Sequence, residues 1–200
     1  MKLVTADASP FARKVRVLLH ETGQADDVEL INVATTPMNT VADVAAANPV
    51  GKIPALIRDE GPALYDSRVI TRFLDARADA GLYPETRLWE TLTLEATADA
   101  IMDAAILVVY ETRLKPEDKI YGAWMDAQWE KVSRAVSAVN ARWMSHLAGP
   151  FDMSHIAIGC ALGYLDFRHA DRDWRKGNDA LASWYSGFAE RDAMVATQPQ

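Results

Sequence analysis

The order of periodicities over residues 1–77 constrains this chain more than any other feature. Lys2 to Ala6 is a short apolar run that reads as a buried strand. Directly behind it Phe11, Val15, Leu18 and Leu19 recur at i, i+4, i+7 and i+8, the spacing of one face of an amphipathic helix. Arg13, Lys14, Arg16 and Glu21 fall on the other face, and Gly23 stands where such a helix would end. Val28 to Val33 gives a second strand, and a weaker helix from Val41 to Ala47 stops at the turn signal Asn48-Pro49. Two further runs, Ile53 to Ile57 and Ala63 to Tyr65, flank Arg58-Asp59-Glu60-Gly61-Pro62, whose composition is that of a hairpin connection. Val69, Ile70, Phe73 and Leu74 then mark one face of another helix. Strand–helix–strand, short helix, strand–strand–helix is the habit of an α/β layer built on a βαβ unit.

From Arg87 onward the pattern is helical almost to the end, punctuated by Pro116, Gly149-Pro150 and Gly177. Asp79, Gly81 and Pro84 break helical continuation between Ala78 and Glu85, so the expected division is an α/β domain over 1–77 and an all-helical domain over 86–200. Within the latter, Asp152 is a predicted N-cap, with Phe151 and Ile156 as the two partners of a hydrophobic staple. The helix that follows, Ile156 to Phe167, is apolar on nearly every side and is predicted to run through the core. The six tryptophans all lie in this half and read as packing.

A 200-residue chain that is 50% hydrophobic and 24% charged is not a disordered one. Its 28 acidic against 21 basic side chains give a net charge of −7, which argues against nucleic acid and anionic lipid as partners. The one basic cluster, Arg168, Arg172, Arg175 and Lys176, is interleaved with Asp166, Asp171 and Asp173 and reads as a solvated connecting face. A single cysteine, Cys160, excludes an internal disulfide framework, and a reducing, cytoplasmic setting is expected. The opening MKLVTADASPFARK lacks the apolar core of a signal peptide, and Asp99 and Asp103 interrupt the most apolar helical stretch, so no membrane span is expected. His20, His146, His155 and His169 form no i, i+4 pair and lack the neighbours that zinc sites use, so no metal is expected. Phosphate loops of the GxGxxG or Walker type and the GxSxG elbow are absent.

Three junctions remain that could carry chemistry. Ser9-Pro10, between the first strand and the first helix, is a common helix start. A hydroxyl there also stands beside unpaired N–H groups at the positive end of the helix dipole, where a thiolate is favoured. A charged hydrogen bond of about 1.5–3 kcal/mol with about 0.3–1 kcal/mol from the dipole lowers a thiol pKa from about 8.5 by about 1–3 units. Pro54, one residue into the predicted strand Ile53–Ile57, belongs at an edge, at a strand start, or in a cis bond that turns the preceding backbone groups toward a ligand. Asp66 and Ser67 suit a helix start, and would equally accept the ammonium and carboxylate of an amino-acid end.

SPFARK, NPVGKIP and Asp66-Ser67 before an apolar helix, followed by a helical half, resemble the glutathione S-transferase superfamily. The closest likeness is to its small bacterial members that begin SPFxRK. The resemblance implies a thioredoxin-like N-terminal domain packed on an α-helical C-terminal domain, a two-fold homodimer, and glutathione as co-substrate. It also implies that Ser9 donates its hydroxyl to the glutathione sulfur as the catalytic group. Ile53, before a cis Pro54, would pair with the cysteinyl backbone, and Asp66 and Ser67 would hold the γ-glutamyl end. Lys52 is a further candidate for a tripeptide carboxylate, and the chain near Ala8 with the helix around Asp103, Leu107 and Tyr110 for the second-substrate pocket. The activity implied is transfer of glutathione to a small hydrophobic electrophile. Glutathione-dependent lyase, dehalogenase or isomerase chemistry and a non-catalytic binding module are the alternatives. Ser9 and Ala12 stand at the ends of what would be a CxxC, which excludes dithiol oxidoreduction. His155 occupies the position where a capping box carries an acid, so that box is expected to be half filled.

Overall fold

The computed structural model describes residues 1–199 and resolves into two compact units, Met1–Glu85 together with the segment from Asp192 onward, and Thr86–Arg191. The first unit is built on a three-stranded sheet of order β2-β1-β3. Strand β1 (Lys2–Thr5) runs parallel to β2 (Glu29–Asn32) and antiparallel to β3 (Ala55–Ile57). A parallel pair needs a crossover, and α1 (Pro10–Glu21) provides it, packing against α3 (Ser67–Ala78). On β3 lies α2 (Ala42–Ala47), where Val4, Val44, Ala47 and Ala55 share a core. Central strand β1 is buried at Leu3, Val4 and Thr5 in succession, which is why it reads as a continuous apolar run rather than an alternation. Gly23, at φ +67°, ends α1 in the left-handed region as expected.

Three sequence expectations change here. The run Ala63–Tyr65 is reduced to a single bridge, Leu56 to Leu64, so the described sheet has three strands. Strand β3 begins at Ala55, after Pro54, because proline has no N–H to give the ladder. Finally, α9 (Asp192–Ala196) packs on α1 in the first unit, although the chain from residue 86 was expected to form the other domain. That contact covers part of the polar face of α1. Arg13 donates to the Met194 carbonyl at 3.0 Å and lies 3.5 Å from Thr197 Oγ1, and Lys14 is 0% exposed. Both were expected in solvent; a buried cation requires such partners.

The second unit comprises α4 (Leu88–Leu114), α5 (Gly122–Arg142), α6 (Met144–Leu147), α7 (Met153–Arg168) and α8 (Asp179–Phe188). Helix α7 is buried at every residue from Met153 to Leu165 and packs against α4 and α8. No helix among the described residues is long and apolar enough to cross a membrane. Trp174 is buried and Trp184 stacks on Phe188 at 4.8 Å, but Trp89 is 76% exposed and packs against little of its own unit.

Candidate functional site

Sheet register gathers the three junctions at one edge of the first unit. Val4 pairs with Ala55, so continuing the ladder by two residues sets Ile53 beside Ala6 at the carboxyl end of β1. Ser9 N–H donates to the Ala6 carbonyl at 3.0 Å, which carries Ser9 to the same place. Leu56 and Leu64 exchange two backbone hydrogen bonds of 2.9 Å, so Asp66 follows antiparallel to β3 and returns toward Pro54. The carboxyl end of the strands is where open α/β sheets bind ligands.

Ser9 is the N-cap of α1, half-buried, with Pro10 as the first helical residue. Its Oγ accepts from Ala12 N–H at 3.2 Å. Among the described residues no acceptor receives its own proton. The hydroxyl therefore both ties down its helix and remains a donor to an outside group.

The Ile53–Pro54 peptide is cis, as the third reading of Pro54 required, and Pro54 is buried. The backbone N–H and carbonyl of Ile53 make no hydrogen bond to any described residue, which leaves both for a main-chain-like ligand. Just before it, Asn48 braces the loop by donating to the Lys52 carbonyl at 2.8 Å and accepting from Val50 N–H at 3.0 Å. Lys52 itself is exposed.

Asp66 is the N-cap of α3 and accepts from Arg68 N–H at 3.0 Å, with the Arg68 guanidinium 3.0 Å from Oδ2. Burial pushes the Asp66 carboxyl up, but the hydrogen bonds and charge of Arg68, joined by the charge of Lys14, outweigh it and hold the group below the ordinary aspartate value. Asp66 is thus anionic at neutral pH. Lys14 was not recognisable as a neighbour of this site, because helical periodicity puts it on the polar face of α1. Ser67 is 2% exposed, and neither its hydroxyl nor its N–H meets a described partner. A carboxylate accepts from two such donors at a helix start, and an ammonium suits the adjacent Asp66.

In the helical unit, Asp99 is buried and Asp103 exposed, so the two do not form one solvent-facing stripe. Leu107 is exposed and Tyr110 half-buried on the same helix, and Ala8 is half-buried in the first unit.

Spacing hid one further cluster. His146, Asp152 and His155 bring metal-capable atoms within 4.8 Å of one another. Their geometry is that of a helix cap. Asp152, 0% exposed, accepts from Ser154 N–H at 3.0 Å and Thr91 Oγ1 at 3.1 Å, and its oxygens lie 2.9 Å from His146 Nε2 and 3.0 Å from His155 Nδ1. Contrary to the half-filled box expected, His155 Nδ1 takes the place of the acid 3.3 Å from Asp152 N, where it accepts when that nitrogen is unprotonated; when protonated it donates to Asp152 Oδ1 instead. The Phe151 ring packs toward His155 and Phe188.

Comparison with known proteins agrees with this geometry. The model of the glutathione S-transferase N-terminal domain matches residues 8–77, and that of the C-terminal domain matches residues 122–187. An Escherichia coli (strain K12) protein, the uncharacterized GST-like protein YibF, is 32% identical over 205 residues, covering 100% of this chain and 98% of its own. A glutathione transferase family member from Pseudomonas fluorescens Pf-5, solved with bound glutathione, superposes with a TM-score of 0.97 at 45% identity, covering 100% and 98% of the two chains. A second structure of a family member from that organism, with bound S-(propanoic acid)-glutathione, gives 0.92 at 44% identity, covering 100% of each. With a small sheet flanked by helices, a separate helical unit and matches over both, the chain has the thioredoxin-like plus all-helical architecture and belongs to the glutathione S-transferase family.

Proposed function

We propose that the protein binds glutathione and activates its thiol for attack on a small electrophile, acting as a glutathione transferase. The observation that carries this reading is the Ser9 hydroxyl, which is oriented by Ala12 N–H and retains a proton for an outside acceptor. Ser9 would donate to the sulfur and stabilise the thiolate, without becoming a nucleophile. Ile53 would pair its free backbone groups with the cysteinyl part, Ser67 would donate to the γ-glutamyl carboxylate, and Asp66 would take the ammonium. The glutathione found in the Pseudomonas relative supports the ligand, and the thioether in the second structure is the kind of product that attack on carbon yields. In that step the thiol gives up its proton to solvent and the thiolate sulfur forms a carbon–sulfur bond, while the bond from that carbon to a leaving group breaks and the group departs with the electron pair, or, on an activated alkene, the π pair shifts to the neighbouring atom and takes up a proton. A two-fold homodimer belongs to the reading, supported by the exposed Trp89, and so does a cytoplasmic setting, where glutathione stays reduced.

Calorimetry with glutathione, followed by thiolate absorbance near 240 nm across pH, tests the reading. Binding with the thiol pKa drawn below about 8.5 supports a transferase; binding without ionisation fits a non-catalytic module, and no binding removes the assignment. Ser67→Ala is expected to raise the KM for glutathione about 3- to 10-fold with kcat unchanged, because it removes a neutral donor that holds ground and transition states alike. An equal fall in kcat would contradict that role.

A further inference from the structure

Ser9 is oriented by the first turn of α1, and little within that turn steadies it. The Ser9 carbonyl accepts from Arg13 N–H at 2.9 Å and its Oγ from Ala12 N–H at 3.2 Å, so residues 12 and 13 supply both of the helix bonds that Ser9 accepts. The third helical residue is Ala12 and the first turn holds no acid, so no capping-box side chain reaches back to Ser9. A first turn has no preceding turn to hold it, and helix ends fray.

Arg13 supplies the missing restraint from outside the helix. Its side chain is buried, and its guanidinium is engaged by the segment from Asp192 onward, which belongs to the same compact unit. One terminal nitrogen donates to the Met194 carbonyl at 3.0 Å, and Nε lies 3.5 Å from Thr197 Oγ1. That hydroxyl is itself fixed, donating to the Ala193 carbonyl at 2.7 Å. Ala193 and Met194 are buried and Thr197 is completely so, which makes the two acceptors part of a packed surface. One turn further along, Arg16 donates to Asp7 Oδ1 at 2.9 Å and ties the same helix to the loop that leads into Ser9. Packing α9 on α1 needs only apolar surface, whereas a buried guanidinium must be given hydrogen-bond acceptors. What it adds over an alkyl side chain is a planar fork that fixes direction as well as distance.

We propose that Arg13 is a positioning residue for Ser9: clamped by the segment from Asp192 onward, it holds the first turn of α1 so that the Ser9 hydroxyl stays directed at the incoming sulfur. In this role Arg13 acts through Ser9 and touches no substrate itself. The inference rests on the glutathione reading above, and it gives residues 193–197, about 180 positions away in sequence, a part in activating the thiol.

The pKa of the bound glutathione thiol, followed by thiolate absorbance near 240 nm, tests it in wild type, Arg13→Gln, Ser9→Ala and the double variant. Arg13→Gln is expected to raise that pKa by about 0.5–1 unit. In the Ser9→Ala background the same substitution should move it by no more than about 0.2 unit, because the group through which Arg13 acts is gone. Thr197→Val keeps the side-chain volume and removes one of the two acceptors, so it should raise the pKa in the same direction, and it reads the same contact if Arg13→Gln does not fold. An Arg13→Gln protein that melts lower but titrates like wild type has lost stability alone, and that result overturns the proposal, as does an unmoved pKa in Thr197→Val. An equal rise in both backgrounds overturns it too, since the guanidinium would then act by its charge and not through Ser9. In each of those cases Ser9→Ala still raises the thiol pKa and the transferase reading stands. A Ser9→Ala protein whose bound thiol titrates like wild type would remove both.

Discussion

Replacing Ser9 with alanine is expected to lower kcat/KM for glutathione conjugation about 10- to 100-fold at neutral pH, since a hydrogen bond to a charged group contributes about 1.5–3 kcal/mol. The same free energy is a thiol pKa raised by about 1–2 units, at 1.36 kcal/mol per unit. The rising limb of the pH–rate profile should therefore move up by that amount, and the deficit should narrow above about pH 9, where even the unassisted thiol ionises. Ser9 is also a helix cap, accepting from Ala12 N–H, so alanine should cost about 0.5–2 kcal/mol of stability as well. Ser9→Asp separates the two roles. Aspartate caps a helix as well as serine does, so its melting temperature should match wild type, yet its carboxylate offers no donor and repels a thiolate. A Ser9→Asp variant with wild-type activity, or an alanine variant with an unmoved pH profile, would rule out the proposed role of the hydroxyl.

Asp152→Ala should be the most destabilising single change in the helical unit. The carboxylate is fully buried and holds Ser154, Thr91, His146 and His155 at once, with the Arg87 guanidinium 3.5 Å away. Removing it leaves several buried donors unpaired, a loss of about 3–5 kcal/mol, or about 6–20 °C in Tm for a chain of this size. The pH dependence has a definite sign. Burial pushes this carboxyl up, but the hydrogen bonds from His155 and Ser154 and the charges of His155 and His146 hold it well below the ordinary value of 3.8. Between the folded and unfolded pKa values the unfolded chain binds the extra proton, so stability rises with pH there. The contribution of Asp152 is complete above about pH 4–5 and fades as pH falls from the unfolded value of about 3.9 toward the folded one. Denaturant melts of wild type and Asp152→Asn at pH 7 and pH 3 should show their difference shrinking at the lower pH. A difference that stays constant would mean that the charge of Asp152 contributes nothing.

Much of the site was legible because helix starts are local chemistry. Ser9-Pro10, Asp66-Ser67 and Asp152 each announce a cap within three residues of chain, and all three cap helices in the structure. Gly23 ends α1 for an equally local reason, its positive φ. The ligand-facing property of these caps was not legible. That Ser9 retains a proton, that Ile53 keeps both backbone groups free and that the Ser67 hydroxyl has no partner depend on what the rest of the fold does not bring to them.

The sequence by itself determined the capping residues, the order of elements from β1 to α3 apart from the run Ala63–Tyr65, and the change from an α/β to a helical pattern, because periodicity and cap chemistry act over a few residues. Tertiary structure alone decided which polar groups are buried. Arg13 and Lys14 lie on what periodicity reads as a solvent face, yet both are buried, and the Arg13 guanidinium is held by a segment about 180 residues away. His155 completes a capping box that its residue type does not announce, because the ring reaches the same atoms that a carboxylate would. A helical period records only the faces of one helix, whereas the environment of a charge is set by whichever element packs over it.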